Sequence, residues 1–117
     1  MASRHCSIAK MLVLAVSPAV LMPIQTHAAD PAPIVVTLST DGFAPAEVKV
    51  PAGQSFVLKF VNQSLAAAEI EAKDFKVEKV VPAGGEIVVN VKPQAAGRFL
   101  FTNEYKEDTA RGFVVVE

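Results

Sequence analysis

The side chains best suited to hold a soft metal or to act as a catalytic base are confined to one end of this chain. Met1, His5, Cys6, Met11, Met22 and His27 are all of its methionine, cysteine and histidine, and residues 29–117 contain none. A thiolate–imidazole copper centre needs a sulfur and two imidazoles, so residues 29–117 cannot build one. The same absence removes Ser-His-Asp catalysis, histidine zinc sites and thiol chemistry. With no histidine base and no recognisable nucleophile pair, we expect no enzyme acting alone. What remains is oxygen. Glu69 and Glu71 alternate in one segment, and Glu104, Glu107 and Asp108 crowd another. Carboxylates are hard ligands that suit iron, manganese, calcium or magnesium and hold copper(I) poorly.

The first 28 residues read as a secretory signal. Arg4 and Lys10 give a basic start, Met11–Val20 a short apolar stretch, and Thr26-His27-Ala28 places small residues before a cut at Ala29. The uncharged run from Met11 to Ile24 is interrupted by Pro18 and Pro23 and falls short of the ~20 residues that span a bilayer. Residues 1–28 are therefore expected to be removed on export to the periplasm, with no membrane insertion afterwards, leaving one domain over 29–117.

That domain has nine basic and twelve acidic residues, a formal charge of −3. Mild acidity gives no basic patch for nucleic acid and no attraction to anionic lipid. A domain of this length, with no disulfide, must rely on an efficient apolar core.

The elements that would position the acids read as strands. Short apolar runs, many of them alternating, cover Ile34–Ser39, Ala46–Val50, Ser55–Asn62, Phe75–Val81, Glu86–Lys92, Gly97–Thr102 and Gly112–Glu117. Asp41-Gly42, Pro51-Ala-Gly53, Pro82-Ala-Gly-Gly85 and Pro93–Gly97 supply turn chemistry between them. Phe56, Leu58 and Phe60 share one face, and Phe99, Phe101 and Phe113 are expected in the core. Ser64–Ala72 has helical propensity and is expected to be a loop holding a helical turn. Lys73–Lys79 reads as an edge strand guarded by lysine. The fold class is all-β, an antiparallel Greek-key β-sandwich.

Two segments carry a family resemblance. Phe43-Ala-Pro45 through Val61-Asn62 resembles the opening half of bacterial cupredoxin-like domains, and Gly97-Arg-Phe99 through Arg111-Gly112 resembles their closing loop. In copper-binding members the closing loop runs aromatic-x-aromatic-x-Cys, then His three residues on, then often Met. By that resemblance Asn103 stands at the Cys position, Lys106 at the His position and Ala110 near the Met position; the upstream His falls at Ala68 or Glu69. All four type 1 copper ligands are replaced, and Lys106 brings a cation to a vacated position.

Ala68-Glu69-Ile70-Glu71 and Asn103-Glu104-Tyr105-Lys106-Glu107-Asp108-Thr109-Ala110 are similar to the small cupredoxin-like component of bacterial periplasmic iron-uptake systems. Lys106 departs from that pattern by replacing a histidine. The resemblance implies work beside a periplasmic iron-binding protein or a membrane permease. It also implies that the upstream and closing loops meet, bringing Glu69, Glu71, Glu104 and Asp108 together as a metal site for iron or copper held weakly through carboxylates. Three readings follow: an accessory protein of iron uptake, a metal-free interaction domain, and weak copper handling by oxygen ligands. The same acids also suit a solvated loop surface balanced by Lys73, Lys106 and Arg111.

Overall fold

The computed structural model describes residues 11–24 and 31–117. Residues 11–24 are exposed and carry no regular secondary structure. No helix among the described residues is long and apolar enough to cross a membrane. The proposed cut before Ala29 lies outside the described residues.

From Ile34 onward the chain forms nine strands: β1 (Ile34–Ser39), β2 (Gly42–Ala44), β3 (Glu47–Val50), β4 (Phe56–Asn62), β5 (Ala68–Ala72), β6 (Val77–Val81), β7 (Glu86–Val91), β8 (Gly97–Asn103) and β9 (Arg111–Val116). They make two packed sheets, ordered β2-β1-β4-β7 and β3-β9-β8-β5-β6. The expected sandwich is present, but it is not purely antiparallel. β1 runs parallel to β4, and β3 parallel to β9, so both sheets are mixed.

Alternation decides which side chains are buried. In β4, Phe56, Leu58 and Phe60 point inward while Val57, Lys59 and Val61 point out. Across the sandwich Val48, Val50, Ile70, Phe101, Val114 and Val116 complete the core. Phe43, Phe60 and Phe101 form an edge-to-face trio, with centroids 5.0 Å apart for Phe43–Phe101 and 5.3 Å for Phe60–Phe101. Gly112 in β9 lies flat against the Phe101 ring, and a Cβ there would overlap that ring and crowd the Ala46 carbonyl. Only glycine lets β9 approach so closely.

Three expectations need correction. Ala68–Ala72 is the strand β5, inserted between β8 and β6, and not a loop with a helical turn. Its alanines have good helix propensity, but five residues cannot sustain a helix alone, and two neighbouring strands claim its backbone hydrogen bonds. Lys73–Phe75 forms a 3-10 turn, so the edge strand expected over Lys73–Lys79 begins only at Val77, as β6. Phe113 is not a core residue. The inward positions of β9 fall on Val114 and Val116, leaving Phe113 half-buried on the outer face with the Arg98 guanidinium 4.0 Å above its ring.

Candidate functional site

Asn62, the last residue of β4, fixes the loop leading to β5. Its Nδ2 donates to the carbonyls of Ala66 (2.9 Å) and Val81 (3.0 Å), and its Oδ1 accepts from the Ser64 amide (3.0 Å). This one buried amide ties residues 63–67 to the end of β6.

Asn103 does the same for the closing loop. It is the last residue of β8, 5% exposed, and its Oδ1 accepts from the amides of Glu69 (3.0 Å) and Tyr105 (3.2 Å). The loop beyond it bonds to itself. Asn103 N–H donates to the Ala110 carbonyl at 3.0 Å, and the Ala110 and Thr109 amides donate to the Lys106 carbonyl at 3.0 and 3.1 Å. Thus β5, β8 and the closing loop meet at one end of the sandwich.

On the outer face of that end three carboxylates converge. Glu69 from β5, Glu78 from β6 and Glu104 just after β8 each offer an oxygen within 4.8 Å of the others. Antiparallel pairing explains the approach: Glu71 stands opposite Glu78 and Glu69 opposite Val80, so Glu69 and Glu78 are diagonal neighbours on one face. The Glu78 carboxyl is pushed above the ordinary carboxylate range. The first cause is its hydrogen bond to Glu69; Coulombic repulsion from Glu69, desolvation and repulsion from Glu71 add to it, and Lys73 opposes them.

The structure therefore brings together two of the four expected acids. Glu71 shares the face but turns to Lys73, 3.2 Å away, in a cleft also lined by Glu107 and Arg111. Asp108 is exposed in the turn before β9 and joins no carboxylate group among the described residues. Glu78 takes the place assigned to them. In the sequence it belongs to a lysine-guarded edge, and only the β5–β6 register shows it facing Glu69.

Comparison with known proteins identifies the fold that carries these residues. A family model described as a cupredoxin-like domain matches residues 10–116. The chain belongs to the cupredoxin-like family. An uncharacterized protein of Rickettsia prowazekii, RP394, is 28% identical over 83 residues; the match covers 71% of this chain and 66% of that protein, just under two thirds of the relative's length. Among solved structures, it is similar to the metal-binding domain of the Streptococcus pneumoniae D39 Cu(I)-exporting P-type ATPase CopA, solved with Cu(I). The TM-score is 0.62 at 22% identity, covering 73% of this chain and 84% of that one. Reduced auracyanin from Roseiflexus castenholzii gives 0.58 at 17% identity, covering 75% and 99%. These likenesses establish the fold.

The structure shows where the residues stand that the loop resemblance set at the copper-ligand positions. Of the two candidates for the upstream His, Ala68 faces the interior with no exposure, while Glu69 faces out toward Glu78. Asn103, Lys106 and Ala110 line a cavity of about 260 Å³ between the β4–β5 loop and the closing loop. Where a thiolate would bind metal, an amide oxygen accepts two backbone N–H groups. The acids lie outside that cavity, so any metal they hold would sit on the sheet face and not in the type 1 position.

The raised Glu78 pKa gives a pH prediction of definite sign. Folded Glu78 keeps its proton at pH values where the unfolded chain has lost it. It therefore favours the fold at low pH, and that contribution is lost as pH rises through its folded pKa. Glu78→Gln removes this loss. The variant should melt slightly above the parent at neutral pH, and the two should converge at about pH 4, where the parent carboxyl is itself protonated. Thermal denaturation at both pH values reads the difference.

Proposed function

We propose that this chain is a periplasmic accessory protein of metal uptake, iron foremost, in which a surface carboxylate site for a hard cation stands in for blue-copper chemistry. The observation that carries this reading is the convergence of Glu69, Glu78 and Glu104 from three separate strands and their ends. Three carboxylates with the remaining positions open to water suit iron in either oxidation state, and they provide no sulfur or imidazole to favour copper. Partial exposure keeps the site weak and exchangeable, as transfer to another protein requires. The partner in this reading is a periplasmic iron-binding protein or a membrane permease, reached after the first 28 residues are removed. The acidic balance of residues 29–117 offers nucleic acid no basic surface.

Calorimetric titration of the protein with ferrous, ferric and cupric ions tests the site. Iron should bind, with Glu69→Gln and Glu78→Gln each weakening it about tenfold or more. Glu71→Gln and Asp108→Asn should leave it nearly unchanged, because those side chains lie outside the group. Affinity should fall as pH is lowered, since Glu78 must surrender its proton to bind. Absence of heat with every ion would overturn the reading and leave a metal-free interaction domain. Binding of cupric ion alone would move it to copper handling by oxygen ligands.

A further inference from the structure

The cavity at the former copper position has a chemistry of its own, independent of the carboxylate group outside it. Two backbone amides approach the Asn103 side chain, so its oxygen must face them and its NH2 must point the other way. That NH2 donates to no protein acceptor among the described residues, and no buried side-chain polar atom there lacks a partner. The NH2 is therefore open to the cavity that Asn103 lines, although the residue as a whole is 95% buried, as its 5% exposure shows. Among the described residues Lys106 is the only charged side chain on that lining, and no carboxylate belongs to it. The rest of the lining mixes the apolar Leu38, Ala66 and Ala110 with the hydroxyl residues Ser39, Ser64 and Thr109, and Leu65 stands exposed at the rim.

A cation would meet an ammonium and an amide donor here, with no acid to offset them. An anion would gain a charge-assisted contact at the mouth and a buried donor at the base. The geometry points to a binding site for a small monocarboxylate with a short apolar body, its carboxylate between Asn103 Nδ2 and Lys106 and its hydrocarbon against Leu38, Ala66 and Ala110. One cation matches one carboxylate, and Glu104 beside the loop disfavours a second negative charge. The size agrees: an apolar cavity of about 150 Å³ admits benzene, and this one is about 260 Å³. Replacing sulfur and imidazole by amide and ammonium has changed the preference of the pocket from metal cation to organic anion.

The test is an NMR titration of the ¹⁵N-labelled protein with acetate, butyrate and benzoate, with butan-1-ol, malonate and sodium chloride as controls. Saturable shifts of the Asn103 side-chain NH2 and of the Tyr105 and Ala110 amides should appear with butyrate and benzoate, more weakly with acetate, and not with the alcohol or chloride. Lys106→Gln should weaken butyrate binding about tenfold. Asn103→Asp keeps an oxygen for the Glu69 and Tyr105 amides but puts a negative charge in the cavity, and should abolish binding at the same concentrations. An unshifted Glu69 amide in that variant would show the loop intact; if it does not fold, Lys106→Gln and the probe series decide alone. Equal shifts with chloride, tighter binding of malonate than butyrate, or unchanged butyrate affinity in Lys106→Gln would each overturn the assignment.

Discussion

The fourfold variant Ala68→His/Asn103→Cys/Lys106→His/Ala110→Met should take up cupric ion and turn intensely blue, where the parent protein shows no such band. The scaffold is already in place. Ala68 faces the interior at the end of β5, and Asn103, Lys106 and Ala110 line one cavity beside it. The thiolate introduced by Asn103→Cys would inherit the two backbone N–H donors that now point at the amide oxygen, at 3.0 and 3.2 Å, and such donors favour the ionised thiol. The cavity gives the Lys106→His imidazole space, whereas the Ala68→His imidazole must be accommodated from a fully buried position beside it. The colour depends on sulfur bonded to copper. The threefold variant that keeps Asn103 should therefore bind cupric ion with only pale absorption. Visible absorption during copper titration makes the measurement, with circular dichroism to confirm folding. A folded fourfold variant that stays colourless would show that the loops do not hold type 1 geometry.

Phe101→Ala is expected to be the most damaging single truncation in the domain. Its ring has no exposure and closes the trio with Phe43 and Phe60, so removal forfeits burial, two aromatic contacts and the packing against Gly112. Loss of a buried phenylalanine typically costs about 3–5 kcal/mol, against a total of about 5–15 kcal/mol for a domain. The midpoint of thermal unfolding should fall by about 15–30 °C. Phe113→Ala is the matched control. It removes a half-buried ring from the outer face and a cation–π contact with Arg98 worth about 0.5–1 kcal/mol, and should shift the midpoint several-fold less. Thermal denaturation of the three proteins side by side decides the ranking. Near-equal losses would mean that the trio is not the centre of the core.

The strands are readable wherever β-branched and aromatic residues alternate, because burial on one face writes itself into every second position. β4 is the clearest case, with its inward set legible residue by residue. β5 is hidden because Ala68, Ala72 and their neighbours carry local helix preference; its strand character comes from β6 and β8 on either side, which no local window contains. Phe113 misleads for a related reason: hydrophobicity marks it as core, while the phase of β9, set by Val114 and Val116, turns it outward.

The site is legible by composition and only half by geometry. The absence of sulfur and imidazole after residue 28 denies those residues a thiolate–imidazole centre, and two of the acids named from the loop resemblance, Glu69 and Glu104, lie close together in the fold. The contribution of Glu78 depends on a strand register that sequence spacing does not encode. The exclusion of Glu71 depends on an ion pair with Lys73, and that of Asp108 on the compact self-bonded turn of the closing loop. The donor character of the inner cavity follows from which way one amide faces, which only its two hydrogen bonds reveal.

Asn103 also alters how this fold is completed in the cell. A metal–sulfur bond across such loops exists only while the ion is bound and the thiol is reduced. Here a neutral amide supplies the clasp as the chain folds, using backbone partners from β5 and from the loop itself. Residues 29–117 contain no sulfur atom for peroxide to modify. The loop end of this domain should thus reach its final shape without a metal–sulfur bond, and peroxide should leave it unchanged.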